Sequence, residues 1–332
     1  MKLATLRGEE PDGRLVVVSR DGHRGLPADL IARTLQQALE DWNNVSGKLK
    51  QLSEALEAGQ GQALEASQLA APIPRAWQWL DGSAFPTHGA LMQKAFNLPA
   101  IETDAPLMYQ GMSHQFLGPH DDVPLPSEAD GIDFEGEFAV ITDAVPMGVS
   151  IEEAADHIKL IVQLNDWSLR VLAPVEMKTG FGWVRAKPAC SVAPFAVTPE
   201  ELGSAWRDGR VCLNLRIDWN EQRFGAANGS AMEFGFDELL AHAAYSRSLP
   251  AGTIIGSGTV SNENCREVGS SCIAERRGIE IIDMGAPKTS FMRFGDRVRM
   301  EAEPVAGHSP FGAIDQRVVA PGMPVAQPHR DR

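Results

Sequence analysis

The chain has 332 residues and a formal net charge of −14, from 30 Lys plus Arg against 44 Asp plus Glu. Hydrophobic residues make up 43% and charged residues 22%, ordinary globular values that exclude a disordered, collagen-like or coiled-coil chain. The acidic balance argues against a nucleic-acid binder, which needs a basic surface to displace counterions, and no apolar run approaches the ~18 residues of a membrane span.

At roughly 100–200 residues per domain, the length allows one large domain or two. The opening MKLATLRGEE turns acidic before an apolar stretch builds, so no secretory signal peptide is expected. Cys190, Cys212, Cys265 and Cys272 are too sparse for a disulfide framework and lack CxxC spacing. A reduced, cytoplasmic, non-membrane protein is therefore expected.

In chain order, RLVVVS (14–19) reads as a strand, and Asp21-Gly22 as the turn of a hairpin. Residues 28–56 read as helical, with Leu30, Ile31, Leu35, Leu39, Trp42, Val45, Leu49, Leu52 and Leu56 near i, i+3/i+4 spacing. Asn43-Asn44 and Gly47 are candidate breaks, and Gly59 to Gly61 ends the pattern. The linker 62–75 closes on APIPR, which sets a boundary between a small N-terminal domain (1–75) and a larger one (76–319). A proline-bearing tail, 320–332, is expected to be flexible.

Strand-like runs dominate the second part: PLMYQG (106–111), FEGEFAVI (134–141), IKLIVQLND (158–166), VCLNLRID (211–218), TIIGSGTV (253–260), IEIIDM (279–284) and RVRMEAE (297–303). Helical signals are confined to 150–158, where Ser150 and Glu153 form a capping box, and to 234–246. The implied class is α+β and β-rich, not a regular strand–helix alternation.

Three segments could carry chemistry. Glu135 and Glu137 stand at i and i+2 of a strand, so both project to one face beside Phe134, Phe138 and Val140. Two anions near a core need positive compensation, and a divalent cation supplies it; a solvated edge strand is the alternative. Asp166 emerges where IVQLND ends, either as a site residue or as a strand-terminating turn. Asp81 and His88 lie in DGSAFPTH (81–88); histidine is suited to proton transfer near neutral pH, although a lone one is usually structural.

FEGEFAVI, then NDWS about 30 residues on, then Lys187 in RAKP, resemble the fumarylacetoacetate hydrolase family, in a bacterial-type member. The resemblance runs from about residue 79 to 316 and includes MYQG, SGTVS, GDRV and FGAIDQRV. It implies a mixed β-roll catalytic core of the fumarylacetoacetase C-terminal type, a small N-terminal α/β domain and a homodimer. Asp81, Glu135, Glu137 and Asp166 fall on four metal-holding carboxylate positions. Hard oxygen ligands imply Mg²⁺ or Ca²⁺ rather than Zn²⁺. His88 falls on the general base and Glu275, in CIAE, on the carboxylate that orients it; Arg170 and Lys187 fall on positive groups around the reacting carbonyl; Tyr109 and Thr259 fall on substrate contacts.

Three positions depart from the family's hydrolases: Ala173 replaces a Gln, Ser83 a second Tyr and Asn97 an Arg. The activity implied is metal-dependent cleavage of a carbon–carbon bond in a 1,3-diketo acid. Fumarylacetoacetate, giving fumarate and acetoacetate at the last step of tyrosine degradation, heads the candidates. The alternatives are a 2-oxo acid decarboxylase or hydratase of the same superfamily, acting on oxaloacetate- or 2-oxopentenoate-like substrates, or a ligand-binding relic without activity. The Asp81–His88 spacing favours hydrolysis.

Overall fold

Strands Lys2–Leu6, Arg14–Val18 and Arg24–Pro27 form an antiparallel meander at the start of the chain. They belong to a computed structural model that describes residues 1–97 and 103–322. The hairpin expected from RLVVVS (14–19) and its Asp21-Gly22 turn is present. The helical stretch starts later than its apolar spacing suggests. Residues 28–34 are turns, and Leu30 is fully exposed. Helix Leu35–Glu40 begins where the Thr34 side chain accepts the Gln37 N–H. The break before helix Trp42–Glu57 falls at Asp41 (φ −128°, ψ 31°), not at Asn43-Asn44 or Gly47. Leu35, Leu39, Val45, Leu49 and Leu56 cover the meander.

The meander continues into the main sheet. Lys2–Leu6 pairs with Ala196–Val197, which bridges to Ile158–Asn165. From there the order is Gly136–Thr142, Ile254–Gly256, Trp79–Gly82 and Met108–Gln110. One buried cluster accordingly holds Leu3, Val17 and Leu39 together with Ala139, Ile141, Leu160 and Val162.

The opposite face of the central strands presents Phe138, Val140 and Ile161 to a second, five-stranded sheet. That sheet contributes Leu215 and Ile217 from Asn214–Trp219 and Met300 from Arg297–Ala302. Gln163 ties the layers: its Nε2 donates to the Met300 carbonyl (3.0 Å) and its Oε1 accepts the Ala302 N–H (2.8 Å). Both groups of a buried amide are thereby satisfied, as burial demands. The class is α+β and sheet-rich, with no closed barrel among the described residues.

One expected strand is a helix. IEIIDM (279–284) forms the second half of helix Ile273–Met284. Its Ile-Glu-Ile alternation imitates a strand, but the upstream Ala-Glu-Arg-Arg favours helix, and the Cys272 side chain accepts the Glu275 N–H. Gly285, at φ 82°, closes the helix in the left-handed region. Helix Pro86–Phe96, opened by a proline in its first turn, had no counterpart among the expected elements. The capping box of helix Ile151–His157 forms as expected, and helix Phe236–Ala243 lies within 234–246. Of the expected tail, residues 323–332 lie outside the described residues. No described helix is long and apolar enough to cross a membrane.

Candidate active site

The period-two pleat assembles the carboxylates. Along Gly136–Thr142, Phe138 and Val140 join one core, whereas Ala139 and Ile141 join the other, and Glu137 shares their parity. Leu164 pairs with Glu137 across the neighbouring strand, and Asp166 follows two residues later on the same parity. On the other side Gly256 pairs with both Ala139 and Asp81, and Asp81 pairs with Tyr109. Gly256 makes the approach possible. A Cβ there would meet Asp81 Oδ1 and the Trp79 ring, each at 2.3 Å.

Asp81, Glu137 and Asp166 each offer an oxygen within 4.8 Å of the others, and all three are buried. Neither oxygen of Glu137 has a hydrogen-bond partner among the described residues. Burial first, and the Asp166 charge second, push the Asp81 carboxyl well above the usual range. Burial, then Asp81 and Asp166, do the same to Glu137. Unpartnered buried carboxylate oxygens facing two further carboxylates fit a hard divalent cation. Gly256→Ala is expected to cost about 1–3 kcal/mol from overpacking and to abolish stabilisation by added Mg²⁺. Thermal melts with and without the ion read both effects.

Glu135 faces cations instead. Lys187 Nζ donates to its Oε1 at 2.6 Å and Arg170 Nη2 lies 3.2 Å away. The Ser168 and Thr259 hydroxyls also donate to it. Burial alone would raise the Glu135 pKa, but Arg170 and Lys187 hold it well below the ordinary value. Burial likewise opposes the charge on Lys187, and Asp166 and Glu135 overcome it, raising its pKa. The geometry therefore groups three of the four expected metal carboxylates and places Glu135 with Lys187 and Arg170.

Asp166 joins the two groups. Its Oδ2 accepts from Lys187 and Tyr109, and its Oδ1 from the Cys190 thiol at 3.0 Å. Burial, then Asp166 and Asp81, keep the Tyr109 phenol well above its usual pKa, so it serves as a donor. Trp183 stands edge-on to Tyr109 at 4.6 Å, and Lys187 Nζ lies 5.4 and 5.5 Å from the two ring centroids.

His88 lies in the first turn of helix Pro86–Phe96, and Glu275 in that of Ile273–Met284. His88 Nδ1 meets Glu275 Oε2 at 3.0 Å; Glu275 is fully buried and the His88 side chain is 17% exposed. No described residue hydrogen-bonds His88 Nε2. Of the departing positions, Ala173 opens helix Ala173–Thr179, Ser83 is exposed, and Asn97 caps helix Pro86–Phe96 in the left-handed region (φ 51°).

Four residues around the site escaped the sequence reading: Asp133, Ser168, Trp183 and Cys190. Ser168 lay in plain view within NDWS. Asp133 shares the period-two parity of Glu135 and Glu137, a signal that could have flagged it. Trp183 and Cys190 flank Lys187 by four and three residues, a proximity that could have flagged them.

The sequence profile described as fumarylacetoacetate (FAA) hydrolase C-terminal matches residues 78–319, and that of fumarylacetoacetase N-terminal domain 2 matches residues 1–75. A 2,4-didehydro-3-deoxy-L-rhamnonate hydrolase from Sphingomonas sp. (strain SKA58) is 30% identical over 166 residues, 49% of this chain and 55% of that protein. The chain thus spans about half the length of that relative. The oxaloacetate tautomerase YisK of Bacillus subtilis (strain 168) is 24% identical over 248 residues, 73% of this chain and 72% of its own. Among solved structures, maleylpyruvate hydrolase from Sphingobium sp. SYK-6, in complex with manganese (II) ion and pyruvate, superposes with a TM-score of 0.65 at 19% identity, covering 96% of this chain and 99% of that one. The chain belongs to the fumarylacetoacetate hydrolase family.

Proposed function

We propose, with that family as premise, that the chain is a divalent-metal-dependent hydrolase of 1,3-diketo acids, with fumarylacetoacetate as first candidate substrate. The observation that carries the reading is the pair of buried, unpartnered Glu137 oxygens beside Asp81 and Asp166. These three residues would hold Mg²⁺ or Ca²⁺; the manganese in the similar maleylpyruvate hydrolase adds Mn²⁺ as a third candidate. Bound there, the cation would act as a Lewis acid toward the two carbonyl oxygens of a 1,3-diketo acid.

In this reading His88, oriented through Nδ1 by Glu275, takes a proton from water through Nε2. The resulting hydroxide attacks the carbonyl carbon, and Lys187 and Arg170 supply the buried positive charge that offsets the new oxyanion. Collapse breaks the carbon–carbon bond, and the departing enolate takes up a proton to give the second acid. Tyr109 and Thr259 are the proposed substrate contacts.

A second reading is keto–enol exchange or decarboxylation of an oxaloacetate-like acid. One feature favours it. Arg170 spends Nε on Asp133 and approaches Glu135 through Nη2, and Ala173 brings no side-chain donor. Those reactions need an enolate-stabilising cation but neither an oxyanion donor nor a base placed as His88 is. Fumarylacetoacetate, 2,4-dioxopentanoate and oxaloacetate, each with chelator and then with Mg²⁺ or Mn²⁺, separate the readings when products are identified by NMR. Two acids from a diketo substrate support hydrolysis. Enol exchange or pyruvate from oxaloacetate alone supports the second reading, and no metal-dependent turnover of any of them defeats both.

We also propose a homodimer. Sedimentation is expected to give about twice the 35.9 kDa chain mass; a single-chain species at micromolar concentration refutes it.

A further inference from the structure

We propose that Asp133 is a positioning residue that couples the His88–Glu275 dyad to the Arg170–Glu135–Lys187 charges, an inference that rests on the catalytic reading of the dyad. Asp133 is fully buried in the two-residue strand Ile132–Asp133. Three donors converge on its one carboxylate. Oδ1 accepts the Ile273 N–H at 2.7 Å; Oδ2 accepts the Ala274 N–H at 2.9 Å and Arg170 Nε at 2.8 Å.

Ile273 and Ala274 are the first two residues of the helix whose third residue is Glu275. The Glu275 N–H is itself held by Cys272 Sγ at 3.3 Å. Asp133 and Cys272 together therefore satisfy the three leading N–H groups of this helix, which a helix cannot satisfy by itself. The direction from which Glu275 meets His88 is fixed by that anchorage. The same carboxylate fixes the plane of the Arg170 guanidinium, which approaches Glu135, and Glu135 holds Lys187. One contiguous network runs from His88 to Lys187, and within it Asp133 hydrogen-bonds both the dyad's helix and Arg170.

An asparagine cannot fill this role. It offers one acceptor oxygen and turns an N–H₂ donor toward other donors. A plain helix cap, by contrast, would affect stability and leave the imidazole environment unchanged.

The test uses full-length protein labelled with ¹⁵N-histidine, with the His88 ring signals assigned from His88→Gln. Asp133→Asn is expected to displace them in the same direction as Glu275→Gln. With 2,4-dioxopentanoate and Mn²⁺, kcat is expected to fall roughly 10–100-fold, as for other residues that orient a metal site's working groups, with KM little changed. The Asp133→Asn/Glu275→Gln double variant is expected to be about as slow as the slower single one, because the two act through one path. Unmoved His88 signals in Asp133→Asn, or rate losses that multiply, overturn the proposal. If Asp133→Asn does not fold, Arg170→Gln, which keeps the helix anchorage, takes its place. It must also displace the His88 signals, and unchanged signals there overturn the coupling. Absence of turnover in the wild type would defeat the catalytic reading, and the NMR comparison would still decide the network.

Discussion

Replacing His88 by alanine is expected to lower turnover by ~10²–10⁴, the usual contribution of a general base, while leaving stabilisation by added metal intact. The expectation follows from the contact between Nδ1 and the buried Glu275 carboxylate, which leaves Nε2 available to water. Glu275→Gln should slow the reaction too, because an amide no longer fixes the tautomer or stabilises the imidazolium. His88→Gln discriminates further. A side chain that merely shields the site could be glutamine at little loss, whereas a base could not. Near-wild-type turnover in His88→Gln, under saturating Mg²⁺ and substrate, would remove His88 from the chemistry. It would also shift the balance from hydrolysis to keto–enol exchange or decarboxylation.

Much of this site is written in strand periodicity. Glu137 is aimed by the alternation of Phe138, Ala139, Val140 and Ile141, and Asp166 by its place at the end of an apolar run. What periodicity could not give is the different company of Glu135 and Glu137. At i and i+2 they look alike; Lys187, Arg170, Ser168 and Thr259 all converge on Glu135 from elsewhere in the chain and leave Glu137 with none. Local pattern also misread the element that carries Glu275. IEIIDM reads as strand, yet Asp133, 140 residues from Ile273, holds the first N–H groups of the helix that actually forms. Helix Pro86–Phe96 was equally hidden. Its packing partner is Ile273–Met284, so its stability is tertiary rather than local. The role of Gly256 as the gap through which Asp81 reaches Glu137 depends on strand order, which no local signal encodes.

Glu137→Gln is expected to abolish stabilisation by metal and, near neutral pH and above, to leave the metal-free protein at least as stable as the wild type. Without a cation, three buried carboxylates repel one another, and Asp81 and Glu137 respond with raised pKa values. The unfolded chain keeps ordinary carboxylates, near pH ~4. Between that value and the raised ones the native state binds more protons than the unfolded state. Stability of the metal-free protein therefore falls as pH rises through that window, and the full penalty remains above it. A cation needs the deprotonated forms, so its binding releases protons and strengthens with pH. Mg²⁺ or Mn²⁺ should accordingly raise the melting temperature more at pH 8 than at pH 5. At 100 times the dissociation constant the gain is about 2.7 kcal/mol, or roughly 4 °C for a chain of this size. Glutamine keeps the volume of Glu137 and removes one of the three charges, so the same substitution that relieves the empty site should destroy it for metal. Calorimetric titration supplies the second readout: proton release into buffers of different ionisation enthalpy in the wild type, and no binding in Glu137→Gln. Equal melting shifts in the two proteins would place the cation elsewhere. No shift in the wild type at millimolar metal would leave the three carboxylates without the partner that their burial demands.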